Sequence, residues 1–289
     1  GNKRATLLAT TLDAATGKYR WHFQIVHHDI WDFDPGAAPM LIDVRRNGRT
    51  IPAVALISKS GLMFLLDRTN GKSIYGVEER PVPASDVPGE KAWPTQPFPV
   101  KPAPLARQSM SLADVATVTP ELEAYCRDLI ARQNIGMGGP YLPPGYIRPT
   151  ENFPGPIGRA NWGGMSFNPA LGFAFVNTHD IGQITGIGAR DSAPRQTIGV
   201  AGVGSAGMPA IPYDMIGLAG RFKEPKSNMM CQQPPWGSLT AVNVNTGDIA
   251  WTVPLGVTDS LPADRQRTGR PNLGGSIATA GGLVFIGDT

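Results

Sequence analysis

Three stretches of the sequence repeat one pattern. "TLDAATGKYRW" sets Asp13, Thr16, Gly17 and Trp21 in the order D-x-x-T-G-x-x-x-W, and "AVNVNTGDIAW" sets Asn243, Thr246, Gly247 and Trp251 in the same frame. "LLDRTNGKSIY" is a looser copy, with Asp67, Asn70, Gly71 and Tyr75. Each copy reads as a hairpin. A strand ends at Asp or Asn, whose side chain can bond the turn backbone, glycine supplies a positive φ, and the next strand carries an aromatic placed to pack. One such turn is commonplace, whereas three with matching aromatics point to an internal repeat. Four-stranded blades repeated around an axis make the best use of such units. A β-sandwich with coincidental turns is the competing architecture.

The rest of the chain suits short strands joined by turns. Glycine (35) and proline (28) make up over a fifth of the 289 residues, and the 41% hydrophobic content is too high for general disorder. Further strand candidates are 53–58, 62–67, 172–177 and 282–287, each bounded by Gly, Pro or Asn. The chain 1–289 thus reads as a single all-β domain, interrupted by an insertion over 76–160. Within the insertion, 76–110 is proline-rich and reads as a surface excursion. Ser111 with Asp114 forms a candidate cap, and Thr119 before Pro120 and Glu121 predicts a helix near 120–133. Leu122, Tyr125, Leu129 and Ile130 would form its apolar face. Residues 182–235, again rich in Gly and Pro, read as long loops between blades.

Composition also limits function. A formal charge of +3 without basic or acidic runs gives no electrostatic case for nucleic-acid binding. No apolar run approaches the roughly 18 residues of a membrane span. Cys126 and Cys231 fit no zinc spacing and can be paired or free. The chain opens at Gly1 without an initiator methionine and stops at Thr289 after the strand-like "GGLVFIGD", as expected of a fragment or processed piece.

"HHDIWDFD", residues 27–34, concentrates the chemistry. Three carboxylates beside two histidines could bind a divalent ion, with oxygen ligands suiting Ca2+ or Mg2+ and imidazoles suiting zinc or copper. Vicinal histidines are poor co-ligands, because neighbouring side chains on an extended strand point oppositely. The same alternation would put Asp29, Trp31 and Phe33 on one side and Asp32 and Asp34 on the other. A metal site, an acid–base site and a polar turn with an aromatic plug all remain open on the residues alone. Lys59, in a Ser-Lys-Ser-Gly turn, would by itself be a solvated lysine.

Several blocks together resemble a known family. The repeat, "HHDIWDFD", "SKSGLMFLLDR", "ANWGGMSFNP", "QQPPWGSLTAVNVNTGDIAW" and "GGSIATAGGLVFIGD" occur in the order found in PQQ-dependent quinoprotein dehydrogenases, most like the membrane-bound glucose dehydrogenase type. The resemblance is weak over 76–150 and 182–225. It implies a partial eight-bladed β-propeller of roughly three to four blades with a helical insertion, in which Trp21 and Trp251 pack between blades. It implies oxidation of a sugar or alcohol, with pyrroloquinoline quinone (PQQ) as cofactor and ubiquinone or a cytochrome as electron acceptor. A periplasmic parent follows, with any inner-membrane anchor outside this chain.

By the same resemblance Asp32 matches the catalytic base, and Lys59, 27 positions on, the residue that hydrogen-bonds the quinone oxygens. Asn161 and Trp162 match a block near the cofactor. Asp32 and Asp34 are the candidate contacts to Ca2+ or Mg2+. An acid at the position of Asp34 also serves lanthanide-dependent relatives, so lanthanide use stays open. His28 and Asp29 become candidates for orienting the base, and Trp236 belongs to the cofactor face or to a blade core. The family's main metal ligands and a stacking tryptophan would lie before residue 1, so these residues alone are expected to hold PQQ weakly. The alternative is a non-catalytic propeller of the same repeat, a protein-binding scaffold that needs neither Asp32, Lys59 nor Asn161.

Overall fold

The three repeats fold as one turn made three times. In the computed structural model, which describes residues 5–155, 157–189 and 212–287, Gly17, Gly71 and Gly247 adopt φ of +69°, +74° and +75°. Their N–H groups donate to the carbonyls of Asp13, Asp67 and Asn243 at 2.7, 2.8 and 2.8 Å. The Asp or Asn side chain accepts from the turn each time, from Thr16 N at 3.0 Å, Thr69 N at 2.8 Å and Asn245 N at 2.9 Å. The positive φ explains why glycine recurs there.

Around these turns the chain builds small antiparallel sheets. β1 (Ala5–Leu12) and β2 (Tyr19–His27) flank the first turn. β3 (Met40–Arg46), β4 (Arg49–Ile57) and β5 (Met63–Asp67) form a meander that runs into the second turn. β6 (Val77–Pro81) and β7 (Thr95–Pro99) pair as a hairpin. The helix α1 (Pro120–Arg132) and the short strands β8 (Gly145–Tyr146) and β9 (Thr150–Asn152) follow. β10 (Met165–Asn168) and β11 (Phe173–His179) open a four-stranded sheet completed by β14 (Gly237–Asn243) and β15 (Asp248–Pro254). Between its halves runs a second antiparallel pair, β12 (Gln183–Ala189) and β13 (Tyr213–Arg221), joined by β8 and β9. β16 (Ser276–Ala278) and β17 (Val284–Ile286) close the order.

Period-2 alternation stacks these sheets. In β4 and β5, Ala53, Ala55, Ile57, Met63 and Leu65 face one way and pack with Ala174, Val176 and Val242 of the four-stranded sheet. Their neighbours Val54, Leu56, Phe64 and Leu66 face the other way and pack with Trp21, Ile25 and Val26 of β2. The far face of the four-stranded sheet, through Phe175 and Leu239, meets Ala278, Val284 and Ile286 of β16 and β17. Four sheets therefore lie face to face in chain order, each side chain row filling the next interface. This is a partial β-propeller.

The repeat aromatics clasp adjacent sheets at one rim. Trp21 lies on Gly71 so closely that a methyl group there would sit 2.6 Å from the indole, and Trp21 Nε1–H donates to Arg68 O at 3.0 Å. Tyr75 repeats the contact on the next sheet: a methyl on Gly247 would sit 3.1 Å from its ring, and its hydroxyl donates to Val244 O at 2.7 Å. In both, the accepting carbonyl directly follows the turn's Asp or Asn. Trp251 differs. It is 37% exposed, and its ring contact, Phe175 at 5.8 Å, belongs to its own sheet, whereas Trp21 makes the expected inter-blade contact.

Elsewhere the structure refines the sequence reading. α1 begins at the predicted proline, with Thr119 Oγ1 accepting from Leu122 N at 3.2 Å. Its buried face is Leu122, Cys126, Leu129 and Ile130, with Tyr125 partly buried beside them. Cys126 is disulfide-bonded to Cys231, 105 residues on, tying the helix to the segment after β13. Trp236 settles into this same core, 3% exposed. The predicted surface excursion is half right: β6 is exposed, but Gln96 and Phe98 of β7 are buried. The predicted loops over 182–235 contain β12 and β13, which glycines such as Gly186 and Gly188 disguise in the sequence; residues 190–211 lie outside the described ones.

Two stability predictions follow from these contacts. Gly17 and Gly71 share turn and φ, but nothing lies within 4 Å of a methyl at Gly17. Gly17→Ala should cost about 1 kcal/mol for the left-handed backbone, and Gly71→Ala about 1–3 kcal/mol more for displacing Trp21, as read by urea denaturation. Cys126→Ser should cost about 3–5 kcal/mol, a lowering of Tm that the reduced wild type reproduces.

Candidate functional site

The octapeptide leaves β2 at His27, and Asp29 folds it. Asp29 Oδ1 accepts from Trp31 N and Oδ2 from Phe33 N, both at 2.9 Å. Burial lifts the Asp29 carboxyl above its ordinary range against the pull of those two amides, and the charges of Asp32 and Asp34 add to the rise. The turn drives Trp31 and Phe33 inward, to 5% and 2% exposure. There they stack at 5.9 Å and meet the edge of Tyr141 at 5.1 and 5.5 Å. The aromatic plug is real, and it faces away from the chemistry.

The alternate residues point outward. Asp32 sits at φ +65°, a conformation that aspartate tolerates better than most residues. Lys59, on the turn between β4 and β5, places its ammonium 2.7 Å from Asp32 Oδ2 and 2.7 Å from Asp34 Oδ1. The lysine side chain is only 12% exposed, against 65% for Asp32 and 37% for Asp34. Burial works against the ammonium, yet the hydrogen bonds it donates to the two aspartates, with their charges, outweigh it and hold its pKa above the ordinary lysine value. A fixed cation between two accessible carboxylates can stabilise developing negative charge while one carboxylate takes a proton.

Neither histidine joins them. His27 Nε2 lies 2.8 Å from Glu79 Oε1 and its Nδ1 2.8 Å from Gln24 Oε1, while His28 Nε2 lies 2.9 Å from Glu90 Oε1. Both imidazoles thus brace the octapeptide against the β6–β7 hairpin. Among the described residues no three His, Cys, Asp or Glu side chains converge as a metal site. Asp32 and Asp34 converge on the Lys59 ammonium, and two carboxylates fall short of the six to eight oxygens that Ca2+ takes. They fit a metal only in company with further donors.

The "ANWGG" block comes to the same place. Asn161 touches the loop after Asp34: a methyl on Gly36 would sit 2.7 Å from Asn161 Oδ1. Its amide is partly committed, with Nδ2 donating to Ile157 O at 2.9 Å and Oδ1 accepting from Trp162 N at 2.8 Å. Trp162 is 69% exposed and lines an open cavity of about 410 Å³ with Ile157, His179, Ile181, Leu273 and Gly274.

Two polar features escaped the sequence reading. On β11, Asn177 donates from Nδ2 to Asn272 O at 2.7 Å and to Gly274 O at 3.0 Å, leaving a buried Oδ1 with no partner among the described residues. His179 Nδ1–H donates to Asn272 O at 3.2 Å. Beneath the lysine turn lies a buried charged group, Arg159 with Asp180 at 2.7 Å, flanked by Arg107 and the fully buried Glu151. The polar run "NTHD" straight after an apolar strand was the available signal for the first. A fully buried arginine has no local signature. A cation, an exposed indole face and a cavity of this size suit a flat, anionic ligand.

Comparison with known proteins agrees. Residues 5–289 match the family described as "PQQ: Glucose/ethanol/alcohol dehydrogenase, beta-propeller domain". The chain is 35% identical over 291 residues to the quinate/shikimate dehydrogenase (quinone) of Acinetobacter baylyi, covering 96% of this chain and 35% of that protein. It is 36% identical over 292 residues to quinoprotein glucose dehydrogenase A of Acinetobacter calcoaceticus, covering 96% and 36% respectively. A europium-containing methanol dehydrogenase of known structure shares the fold, with a TM-score of 0.55 at 17% identity over 97% of this chain and 36% of that one. The chain thus spans little more than a third of the length of these relatives. It belongs to the PQQ glucose/ethanol/alcohol dehydrogenase β-propeller family.

Proposed function

We propose that the full-length protein oxidises a hydroxyl group of a sugar or alcohol with PQQ, and that Asp32 is the base. The observation that carries this reading is the convergence of Asp32, Asp34 and Lys59, with Gly158, which lies against Lys59, following Ile157 in the lining of the Trp162 cavity. PQQ, when bound, supplies the two-electron acceptor. Asp32, the most exposed of the three side chains, removes the substrate hydroxyl proton at a carboxylate oxygen. Lys59 would hold its positive charge beside the quinone oxygens without a large rearrangement, since its turn is already fixed. Trp162 offers a flat surface to the cofactor, and the remaining amide hydrogen of Asn161 a donor. Asp32 and Asp34 would help hold Ca2+ or Mg2+, or a lanthanide, together with oxygen donors from outside these residues; such an ion would supply Lewis-acid polarisation.

Electrons pass to ubiquinone or a cytochrome, a reading supported by the word "quinone" in the name of the Acinetobacter baylyi relative. The Cys126–Cys231 disulfide supports an oxidising compartment, which we take to be the periplasm. No helix among the described residues is long and apolar enough to cross a membrane, so an inner-membrane anchor would be supplied by other segments. A protein-binding scaffold would have no use for a lysine desolvated between two aspartates, and that pairing favours the enzyme.

The test is reconstitution of the full-length protein with PQQ and Ca2+ or Mg2+, followed by dye reduction with aldoses, polyols and simple alcohols. Asp32→Asn should lower kcat by about 10²–10⁴-fold while PQQ stays bound. If Asp29→Asn abolished turnover and Asp32→Asn did not, the assignment of the base would be wrong. Failure of the wild type both to bind PQQ and to oxidise any substrate would favour the scaffold.

A further inference from the structure

Lys59 has its main chain fixed as firmly as its ammonium. Lys59 N–H donates to Asp34 O at 3.1 Å, and Lys59 O accepts from Arg159 N–H at 2.8 Å. Gly158, at φ +78°, lies flat against the lysine, where a methyl group would sit 2.6 Å from Lys59 Cα. The stem of Arg159 crosses the other end of the same turn, since a methyl on Gly61 would sit 2.9 Å from Arg159 Cγ. Arg159 therefore grips the Ser58–Gly61 turn with both its main chain and its side chain.

The guanidinium beyond that stem is fully buried. Nη1 pairs with Asp180 Oδ1 at 2.7 Å, Nη2 donates to Arg107 O, and the Phe153 ring lies 3.7 Å away. Asp180 is anchored in turn, its N–H donating to Trp236 O at 3.0 Å and its carbonyl accepting from Gln232 Nε2. Arg159 O accepts from His179 N–H at 2.8 Å. The arginine so spans from the lysine turn to the ends of β11 and β14. Burying an ion pair costs several kcal/mol per charge before it is repaid, and apolar side chains fill space more simply. What a hydrophobic filler lacks is a directional anchor.

We propose that Arg159 is a positioning residue: clamped by Asp180, it fixes the Ser58–Gly61 turn and aims the Lys59 ammonium at Asp32 and Asp34. Its relevance to turnover rests on the proposed function, whereas the clamp is a property of this chain with or without a cofactor.

The experiment that separates the two is amine labelling. In the full-length protein, reductive methylation read peptide by peptide by mass spectrometry compares Lys59 with the exposed Lys72. Arg159→Met and Asp180→Asn should each raise Lys59 labelling relative to Lys72 by about tenfold, by freeing the turn to open, and Arg159→Lys should raise it less. Unchanged Lys59 labelling in a folded variant overturns the proposal. Asp180→Asn, nearly identical in shape, carries the test should Arg159→Met not fold. In turnover assays Arg159→Met should lower kcat by about 10–100-fold, with KM nearly unchanged, and lower it no further in a Lys59→Ala background. Losses that multiply in the double variant mark general damage and overturn the proposal. A wild type without turnover would sink the proposed function and leave the labelling result standing.

Discussion

The stack of sheets depends on one contact, an aromatic ring laid on a bare glycine backbone. Trp21 on Gly71 and Tyr75 on Gly247 each join a sheet to the next, and each adds a hydrogen bond to the carbonyl after the turn's Asp or Asn. Hydrophobic interfaces between sheets tolerate some sliding, since alternation fixes which face is buried more strongly than where it sits. A ring that fits only over glycine, with its polar hydrogen aimed at one carbonyl, removes that freedom. The register of one blade on the next is thereby set at the turn rim.

The candidate site lies at the opposite rim. The repeat turns follow β1, β5 and β14, whereas the octapeptide leaves the end of β2, Lys59 lies between β4 and β5, and His179 and Asp180 end the β11 run. Rigid sheets fixed at one end hold loops at the other in defined relation, which is how several distant segments come to share one site. Asp29 converts the alternation of a strand into a loop with aromatic residues inside and carboxylates outside. Lys59 then ties that loop to the neighbouring sheet through two ion pairs and one backbone bond.

Much of this was legible because it is local. The repeat named its own turns, alternation named the sheet faces, and Thr119-Pro120 named the start of the helix to the residue. The split of "HHDIWDFD" into an inner and an outer row also followed from strand parity, although Asp32 itself is not extended. What was hidden depends on distance in space. Cys126 finds Cys231 across 105 residues, and no spacing rule joins them. β12 and β13 carry too many glycines to show a period. Trp251 repeats Trp21 in sequence but not in burial, because burial depends on the neighbouring sheet rather than on the repeat itself. Arg159 was missed because burial of a charge is decided by its partners, and Asp180, His179 and Arg107 all lie far from it in sequence or on other elements.

Under the proposed function, the Asp32–Lys59–Asp34 group is where cofactor and substrate meet. The most direct measurement is a crystal structure of the full-length protein with PQQ and Ca2+. Quinone oxygens should lie within about 3 Å of Lys59 Nζ, with a ring edge facing Asp32 and one ring face towards Trp162. Well-ordered PQQ bound away from Lys59, with the triad left facing solvent, would contradict it.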